Sequence, residues 1–348
     1  MGYEQLDNCD VKIKVIGIGG AGNNAVNRMV DSGMHSAEFV AVNTDAQVLR
    51  HSKANTLLQI GEKQTRGRGA GADPEKGRKS AEESSEALEQ LVKDADMVFI
   101  AAGMGGGTGT GAAPIVADLA HKNDALVVGV VTKPFLFEKE RRMQNALAGI
   151  DELSCKVDSL VVIPNERLKN VTDQKITFAN AFEIADDVLR QAISSISDLI
   201  TVNGVINLDF ADVCAVMKNA GYAHMGLGKA QGKDKATIAA KMAIYSPLLE
   251  TSIDGAKGVL INIIGSPDLG LDEVDEATSL ITSAANPDAN VIFGFAIDED
   301  LEDEVRITII ATGFDNPGAP ARDPQASEDK GGDDDFDILK GLFADRKN

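Results

Sequence analysis

Half of the stretch GMGGGTGTGAAP at residues 103–114 is glycine, and the stretch lies between two apolar segments. Glycine loses more backbone entropy on folding than any other residue, so a loop of this composition is costly to order. Backbone N–H groups that no side chain shields can contact an anion closely, and a following helix adds its partial positive charge. The sequence therefore predicts a phosphate-binding loop here, with Pro114 in the first turn of the next helix.

Two further glycine-rich loops follow predicted strands. Gly17, Gly19 and Gly22 match the GxGxxG fingerprint of dinucleotide-binding proteins, and Asp45 lies near the position of an NAD ribose ligand. By itself this loop fits an NAD(P)-dependent oxidoreductase or a plain strand-to-helix turn. The third loop contains residues 69–71. Three converging loops suit a triphosphate better than the single pyrophosphate of a dinucleotide.

The composition excludes several classes of protein. The 348 residues are enough for two domains, and the net charge of −20 disfavours nonspecific nucleic-acid binding. The three cysteines and four histidines are scattered, so we expect neither a disulfide framework nor a zinc site. No P-loop, secretory signal or membrane span is expected. No lysine is placed to neutralise phosphates, which leaves that role to backbone amides and a metal ion.

The glycine-rich loops are positioned by strands that alternate with helices. Buried strands are predicted at residues 11–17, 38–45, 56–61, 96–103, 125–134 and 159–166. A helix is predicted over residues 80–95, with Ser80 as its N-cap. This alternation indicates a parallel sheet with helices on both faces.

A long amphipathic helix is predicted over residues 173–202, where apolar residues recur at spacings of three and four. About 25 helical residues span nearly 40 Å, so this helix is expected to connect two domains. After Gly204, helical and strand patterns predict a second, α+β domain that ends near Phe314. Beyond that point the chain loses its periodicity and becomes rich in Pro, Gly, Ala and acidic residues, which is typical of a disordered linker.

Several motifs, in a fixed order, match a known family. GGGTGTG is the tubulin-type signature, and it occurs together with GIGGAGNNAVNRM, AVNTD, GAGADP, TKPFLFEKERR, PNERL, AFEIADDVLRQ and NLDFADV. Over residues 11–314 the chain resembles the tubulin-like GTPases of bacterial cell division. The resemblance implies head-to-tail polymerisation, GTP hydrolysis at subunit interfaces and a role in the cytokinetic ring. The cofactors it implies are GTP or GDP, and Mg²⁺ held through phosphates and water.

The resemblance also gives each segment of the chain an expected role. The fold class it implies is α/β, with a Rossmann-like parallel-sheet GTPase domain, a long central helix and a second α+β domain. The predicted parts are an N-terminal extension (1–10), a GTP-binding domain (11–172), a connecting helix (173–203), a C-terminal α+β domain (204–314), a disordered linker (315–335) and a partner-binding peptide (336–348).

The expected phosphate contacts come from all three loops. By resemblance they are Gly20, Ala21, Gly22, Asn23 and Asn24 in the first loop, Ala70 and Gly71 in the third, and Gly106, Gly107, Thr108 and Gly109 in the central one. Ala70 and Gly71 lie near the γ-phosphate as a sensor of nucleotide state, or they form a plain surface turn. Ala21 stands where many family members carry glycine, a difference of one methyl group that negative φ would tolerate. Further nucleotide contacts are expected from Asp45, Thr132, Pro134, Glu138, Arg142, Asn165, Phe182 and Asp186.

By resemblance, the residue expected to read the base is Asp186. A carboxylate accepts hydrogen bonds from N1–H and N2–H₂ of guanine together, which adenine cannot offer, and Asn165 complements it. Phe182 lies one helical turn before Asp186, so both face the same way and the ring can stack on the base. The alternative for Phe182 is a plain core residue. Glu138 and Arg142 match positions near the ribose, or they form a surface ion pair at i,i+4.

The expected catalytic residues are Asp209, Asp212 and Asn207, in the segment NLDFADV. With a connecting helix near 40 Å long, these acids cannot reach the γ-phosphate of their own subunit. In the family they complete the site of the next subunit in a filament. A second interpretation is that Asp209 caps a helix that has another acid in its first turn, and both roles can hold together.

The chain terminus carries its own expectation. Phe336, Leu339 and Phe343 recur at helical spacing, and the segment resembles in position the family peptide that binds membrane-tethering and regulatory proteins. It lacks the proline of the usual Asp-Ile-Pro core, and the alternative is an unbound tail. The resemblance also implies a filament in the cytoplasm at the division site, which binds no nucleic acid and has no transmembrane segment.

Two competing functions stay open. One is the NAD(P)-dependent oxidoreductase. The other is a nonhydrolysing GTP-binding filament regulator, and the presence of Asp209 and Asp212 argues against this second one.

Overall fold

The computed structural model describes residues 11–170, 176–178, 180–201, 204–206, 208–249 and 253–314. The predicted N-terminal extension, linker and terminal peptide lie outside the described residues, and so does Asn207. The described residues form one mixed sheet of ten strands with helices packed on both faces.

The sheet has the strand order β3-β2-β1-β4-β5-β6-β7-β10-β8-β9. The strands are β1 Ile13–Ile18, β2 Glu38–Asn43, β3 Thr56–Gln59, β4 Met97–Gly103, β5 Leu126–Lys133, β6 Ser159–Pro164, β7 Gly221–Gln231, β8 Gly258–Gly265, β9 Asn290–Ile297 and β10 Glu304–Thr312. Strands β1 to β6 are parallel, whereas β10 runs antiparallel to β7 and β8. Because β7 pairs with β6 on one side and β10 on the other, the two halves of the chain share one sheet.

Helices connect most of the strands. They are α1 Gly19–Asp31, α2 Ala46–Leu49, α3 Glu62–Thr65, α4 Pro74–Glu83, α5 Ser85–Val92, α6 Thr108–Lys122, α7 Glu140–Ser154, α8 Ala181–Thr201, α9 Phe210–Met217, α10 Lys235–Ile244 and α11 Leu271–Ala284. Short 3₁₀ helices cover Leu136–Glu138, Asn165–Asn170 and Ile253–Gly255.

Side-chain alternation along β1 separates two apolar cores. Ile13 and Val15 pack in the cluster that contains α1 and α8, whereas Ile16 and Ile18 pack in the cluster that contains α5 and α6. Burial on both faces explains the nearly continuous Val and Ile runs in these strands. A third apolar cluster joins α10 and α11 to β8 and β10. The edge that carries the glycine-rich loops is thus supported from both sides of the sheet.

The helix predicted to start at Ser80 begins earlier, at Pro74. Asp73 is its N-cap, because its Oδ1 accepts a hydrogen bond from the backbone N–H of Glu75 at 3.1 Å. An Asp-Pro pair combines a capping carboxylate with a fixed φ at the first helical position, a stronger start than a serine. Ser80 instead lies inside α4 and donates its hydroxyl to the carbonyl of Lys76 at 2.7 Å.

Two other helix predictions differ from the structure. Among the described residues of the helix predicted at 173–202, α8 begins at Ala181, and just before it the side chain of Asn180 accepts from the backbone N–H of Thr177 at 2.7 Å in a turn. The 21 residues of α8 rise about 31 Å, less than expected. Pro114 lies inside α6 and not in its first turn, because α6 already begins at Thr108.

Strand β7 has no signal in the sequence patterns. Its residues, GYAHMGLGKAQ, include three glycines and no β-branched residue, a composition that disfavours strands. The structure explains two of these glycines through the helix α10 that packs on them. An added Cβ at Gly226 would lie 2.1 Å from the carbonyl oxygen of Ala243, and one at Gly228 would lie 1.9 Å from that of Ala239.

Candidate nucleotide-binding and catalytic site

The three glycine-rich loops meet at the carboxyl edge of the parallel strands. The first loop follows β1 and the central loop follows β4, and these neighbouring strands mark the point where the strand order reverses. Ligands of open α/β sheets bind at such a point. The third loop, residues 66–73, reaches the same edge, because the backbone N–H of Gly69 donates to the carbonyl of Thr44 at 3.2 Å.

Close backbone contacts join the central loop to both of its neighbours. An added Cβ at Gly107 would lie 2.7 Å from the Cβ of Ala70 and 2.9 Å from the backbone of Asp73. An added Cβ at Gly19 would lie 3.0 Å from the backbone nitrogen of Gly109. The loops therefore converge, and glycine is required where one loop crosses another.

Other glycines of the loops face open space. An added Cβ at Gly20, Gly71 or Gly106 would have no heavy atom within 4 Å. Helix α6 starts beside these positions with no acidic residue in its first turn and no side-chain cap at Gly107. The N–H groups of the first turn can therefore bind an anion.

Ala21 and Gly22 lie at the start of α1, against β4. An added Cβ at Gly22 would lie 2.2 Å from the carbonyl oxygen of Ala101, so glycine is required there. The Cβ of Ala21 faces Gly103, where a second Cβ would lie only 2.7 Å away. Ala21 is not among the described non-glycine residues with positive φ. Its additional methyl group is thus accommodated because its neighbour on β4 is a glycine.

A buried pair of amides fixes the first loop. The Nδ2 of Asn23 donates to the carbonyl of Gly17 at 2.7 Å, and its Oδ1 accepts from the Nδ2 of Asn43 at 2.7 Å. The side chain of Asn23, expected at a phosphate, therefore ties the end of β1 to the end of β2. Asn24, the next residue of α1, is exposed and lies beside Asp186.

Asp45 lies in the turn between β2 and α2. Its Oδ1 accepts from the backbone N–H groups of Gln47 at 2.8 Å and Val48 at 3.4 Å, so Asp45 is the N-cap of α2. Its backbone forms an isolated antiparallel bridge with Arg68 of the third loop. Asp45 therefore anchors the third loop to the end of β2.

The carboxyl end of β5 completes the wall beside the central loop. Thr132 and Pro134 are buried there, and the carbonyl of Thr132 accepts from the backbone N–H of Met104 at 3.0 Å. Glu138 and Arg142 form an ion pair at 3.0 Å, the contact that their i,i+4 spacing predicts. The Glu138 carboxylate is nearly buried, whereas the Arg142 side chain remains 47% exposed and can reach a ligand.

The base-reading residue predicted from the sequence is buried near the start of α8. Asp186 is 6% exposed, and burial raises the pKa of its carboxyl to about 7 although Arg28 and a hydrogen bond with Asn24 oppose the shift. Phe182, one turn earlier, is 41% exposed. A desolvated carboxyl beside an accessible ring can accept hydrogen bonds from a planar ligand that stacks on the ring.

Asn165 follows β6 and carries a buried polar atom that lacks a partner. It is 5% exposed, and within the described chain its Oδ1 accepts no hydrogen bond. An unsatisfied buried amide oxygen is costly, so such atoms in native proteins point to a missing ligand or water. The Asn165 amide is therefore suited to a ligand that brings a donor.

Two exposed aromatic residues extend the surface around Phe182. The ring of Phe137 lies 6.0 Å from that of Phe182, and Phe178 lies 5.1 Å from Phe137. Phe135, which is buried, contacts Phe182 edge-on at 5.7 Å. Sequence reasoning singled out Phe182 alone. The available signal was the PFLF segment inside TKPFLFEKERR, which places two rings two residues apart.

The predicted catalytic acids lie at the opposite end of α8. The Oδ1 of Asp209 accepts from the backbone N–H of Asp212 at 2.8 Å, and the Oδ2 of Asp212 accepts from that of Asp209 at 3.3 Å. The capping interpretation is thus realised at α9. Leu208, the residue before Asp209, lies close to the end of α8. Both face Gly294 of β9, since an added Cβ at Gly294 would lie 2.5 Å from Leu199 of α8 and 3.7 Å from Leu208.

In the described part of the chain, no three His, Cys, Asp or Glu side chains are grouped so that they could hold a metal ion. None of the described helices is both long and apolar enough to cross a membrane.

Comparison with known proteins relates both halves of the chain to one family. The model of the tubulin/FtsZ family GTPase domain matches residues 12–173, and that of the FtsZ family C-terminal domain matches residues 221–315. An FtsZ of M. jannaschii, solved as an empty dimer, is 46% identical over 88% of this chain and 90% of its own, with a TM-score of 0.85. This chain belongs to the FtsZ family. The resemblance and the fold class expected from the sequence are confirmed.

The same fold occurs in solved structures of lower sequence identity. CetZ2 of Haloferax volcanii, solved as a GTPγS-bound protofilament, is 21% identical over 87% of this chain and 93% of its own, with a TM-score of 0.74. CetZ1 of that organism, a GDP-bound monomer, is 21% identical over 88% and 95%, with a TM-score of 0.75. Membership in the FtsZ family of tubulin-like GTPases favours GTP as the ligand over the nicotinamide cofactor that the GxGxxG fingerprint also permits.

Proposed function

We propose that this chain polymerises head to tail and hydrolyses GTP to GDP and phosphate at sites that two neighbouring subunits share. The observation that supports this proposal is the distance that α8 places between the base-binding residue Asp186 and the acids Asp209 and Asp212. From Asp186 to the end of the helix at Thr201 the backbone rises about 22 Å, and Asp209 and Asp212 follow beyond that end. A subunit cannot bring these acids to its own nucleotide, so they act on the nucleotide of the next subunit.

The nucleotide is held by backbone groups at one end and by side chains at the other. The phosphates lie in the open space beside Gly20, Gly71 and Gly106, where N–H groups and the α6 dipole stabilise their charge. Guanine stacks on Phe182, and its N1–H and N2–H₂ donate to Asp186. The unpartnered Oδ1 of Asn165 supports the presence of a further donor in this part of the ligand.

Hydrolysis then needs a water in line with the bond that breaks. Asp209 and Asp212 of the next subunit orient this water and accept its proton as its oxygen bonds to the γ-phosphorus. The bond from the γ-phosphorus to the β–γ bridging oxygen breaks, and GDP leaves with the electron pair. N–H groups of the central loop stabilise the charge on the phosphoryl oxygens. By resemblance Asn207, outside the described residues, is the third residue of this group.

Other partners complete the proposal. Mg²⁺ would bind to phosphate oxygens and water and reduce the negative charge of the triphosphate, as expected of a cation that retains several waters. The terminal peptide would bind membrane-tethering and regulatory proteins. The filament would then lie in the cytoplasm beneath the membrane at the division site.

The proposal requires that activity depend on assembly. Phosphate release from GTP, per molecule of protein, should be near zero in dilute solution and rise above a threshold concentration. Asp212→Ala should bind GTP like the parent protein and lose most hydrolysis. Glu86→Ala, which removes the same charge from the exposed face of α5, is the matched control and should behave like the parent.

Mixing two inactive variants tests whether the site is shared. Asp212→Ala provides a nucleotide site without its own acid, and Asp186→Ala provides the acid without a guanine site. Together they should recover part of the parental phosphate release, because some interfaces combine both intact halves. Activity proportional to concentration down to dilute monomer, or no recovery in a mixture shown to co-assemble, would contradict the shared site. GTP binding without any turnover would favour the nonhydrolysing regulator.

A further inference from the structure

Thr44 lies directly after β2, where the three loops meet. It is fully buried, at 0% exposure, and its Oγ1 lies 2.6 Å from the Oγ1 of Thr108 in the central loop. Its carbonyl accepts from the backbone N–H of Gly69 at 3.2 Å, and it shares the Oγ1 proton of Thr65 with the carbonyl of Gly61, at 3.1 and 3.0 Å. One buried residue thus contacts the first residue of α6 and the beginning of the loop that carries Ala70.

We propose that Thr44 is a positioning residue that couples the Ala70–Gly71 loop to the phosphate-binding hydroxyl of Thr108. This inference rests on the proposed function, in which Thr108 and the third loop contact the nucleotide. A threonine hydroxyl has one proton. If Thr108 donates that proton to a phosphate oxygen, Thr44 must be the donor in the hydroxyl pair. Thr44 then directs the Thr108 proton toward the nucleotide, and aligned hydroxyl groups strengthen each other.

The third loop is fixed to the same point by its backbone. The backbone N–H of Ala46 donates to the carbonyl of Gly67 at 3.1 Å, and Gly69 donates to Thr44 as described. Beyond these anchors Ala70 is buried against Gly107, whereas Gly71 faces open space. A loop held at Thr44 and free at Gly71 can respond to a γ-phosphate and transmit its position to Thr108. Thr44 would therefore contribute to discrimination between GTP and GDP.

The test compares Thr44→Val, which removes the hydroxyl and keeps the branched shape, with Thr44→Ser, which keeps the hydroxyl. Affinities for GTP and GDP are measured by titration below the assembly threshold, so that hydrolysis does not interfere. We expect Thr44→Val to lower the ratio of GTP to GDP affinity about tenfold, the effect of one charge-assisted hydrogen bond. Thr44→Ser should retain the parental ratio.

A matched control comes from a buried hydroxyl pair outside the nucleotide site. Thr308 is 8% exposed and lies 3.1 Å from the Oγ of Ser195, so Thr308→Val repeats the chemical change elsewhere. It should leave the affinity ratio unchanged. An unchanged ratio in Thr44→Val would overturn the proposal, and so would a Thr44→Ser variant as defective as Thr44→Val, because the methyl group would then be the important part.

Two further measurements keep the test decisive. If Thr44→Val unfolds, Thr65→Val removes the other side-chain contact to Thr44 and should lower the ratio in the same direction. If Thr44→Val folds, the double variant with Thr108→Val should lose no more than Thr108→Val alone, since the two hydroxyls act as a unit. Additive losses would overturn the proposal. A parent protein that binds no GTP would instead contradict the proposed function itself.

Discussion

At the residue scale, the proposed nucleotide pocket contains groups that are unfavourable without a ligand. The Oδ1 of Asn165 is buried without a hydrogen bond in the described chain. Burial holds the pKa of Asp186 near neutrality, so ionising it is costly. Ala72 adopts a positive φ of 59°, in the same loop as Gly71. A bound guanine nucleotide would satisfy the polar groups, which is the reason to expect them at a binding site and not in a plain core.

The first prediction concerns the pH dependence of nucleotide binding. Guanine donors require the ionised form of Asp186, whose pKa in the free protein is raised to about 7 by burial. GDP affinity should therefore fall as the pH drops from 8 to 6, and binding at pH 6 should release a proton from Asp186. Calorimetric titration in two buffers with different ionisation enthalpies measures this proton.

The control for that experiment is Asp186→Asn, titrated at GDP concentrations that saturate its weaker site. The phosphates of GDP also titrate, but they do so equally with both proteins, so the difference between the proteins isolates Asp186. The effect of pH on folding stability has the opposite sign to its effect on GDP affinity. Because the folded pKa of Asp186 is raised above its ordinary 3.8, its contribution to stability is complete below pH 3.8 and is lost as the pH rises through about 7. Identical proton release by parent and variant would contradict this account.

The second prediction separates two neighbouring glycines. Gly107→Ala should destabilise the protein by about 1–3 kcal/mol, because the new methyl group meets Ala70 and the backbone of Asp73. Gly106→Ala meets no protein atom, so its thermal stability should equal that of the parent. GTP affinity should nevertheless fall in Gly106→Ala, because the methyl group enters the space assigned to phosphate. Unchanged GTP affinity in a titration of Gly106→Ala would show that phosphate lies elsewhere.

At the scale of elements, α8 sets the distance between the two functional regions. Phe182, near its start, contacts the other aromatic residues, and Leu199, near its end, contacts Gly294 of β9. The loop after α8 is hydrogen-bonded to β9, since the backbone N–H groups of Val205 and Ile206 both donate to the carbonyl of Phe295. The position of Asp209 is therefore fixed by α8 and by the edge strand together.

The third prediction separates capping of α9 from catalysis. Asp209→Asn keeps a good N-cap and removes the charge, so the protein should stay as stable as the parent while hydrolysis falls. Asp209→Ala loses both functions and should also destabilise the protein by about 1 kcal/mol. Thermal unfolding and phosphate release, measured on the same samples, provide the two readouts. Full hydrolysis by a stable Asp209→Asn protein would limit Asp209 to a structural role.

At the scale of the whole molecule, one sheet joins the two halves of the chain. Strand β7 pairs with β6 on one side and with β10 on the other. The side chain of Arg167 adds a second link, since its guanidinium donates to the carbonyl of Leu249 at 2.6 Å. The two halves of the chain are thus joined both by strand pairing and by a side-chain hydrogen bond.

The fourth prediction concerns the terminal peptide. Removal of residues 336–348 should leave polymerisation and GTP hydrolysis intact, because the predicted acidic linker at residues 315–335 separates this peptide from the folded domains. In cells the truncated protein should form filaments that fail to reach the membrane. Light scattering with phosphate release tests the first statement, and fluorescence microscopy tests the second. A purified truncation that cannot polymerise would contradict this division of roles.

The sequence by itself determined what depends on local patterns. Glycine placement marked the loops, apolar runs marked the parallel strands, and ordered motifs such as GGGTGTG identified the family. Domain boundaries and the roles of individual site residues stay predictions. Tertiary structure alone decided the pairing of Thr44 with Thr108, 64 residues apart, the ring contacts of Phe137 and the position of β7. These features depend on contacts between segments that are distant in sequence. The role of a glycine or a hydroxyl there is set by the element that packs against it.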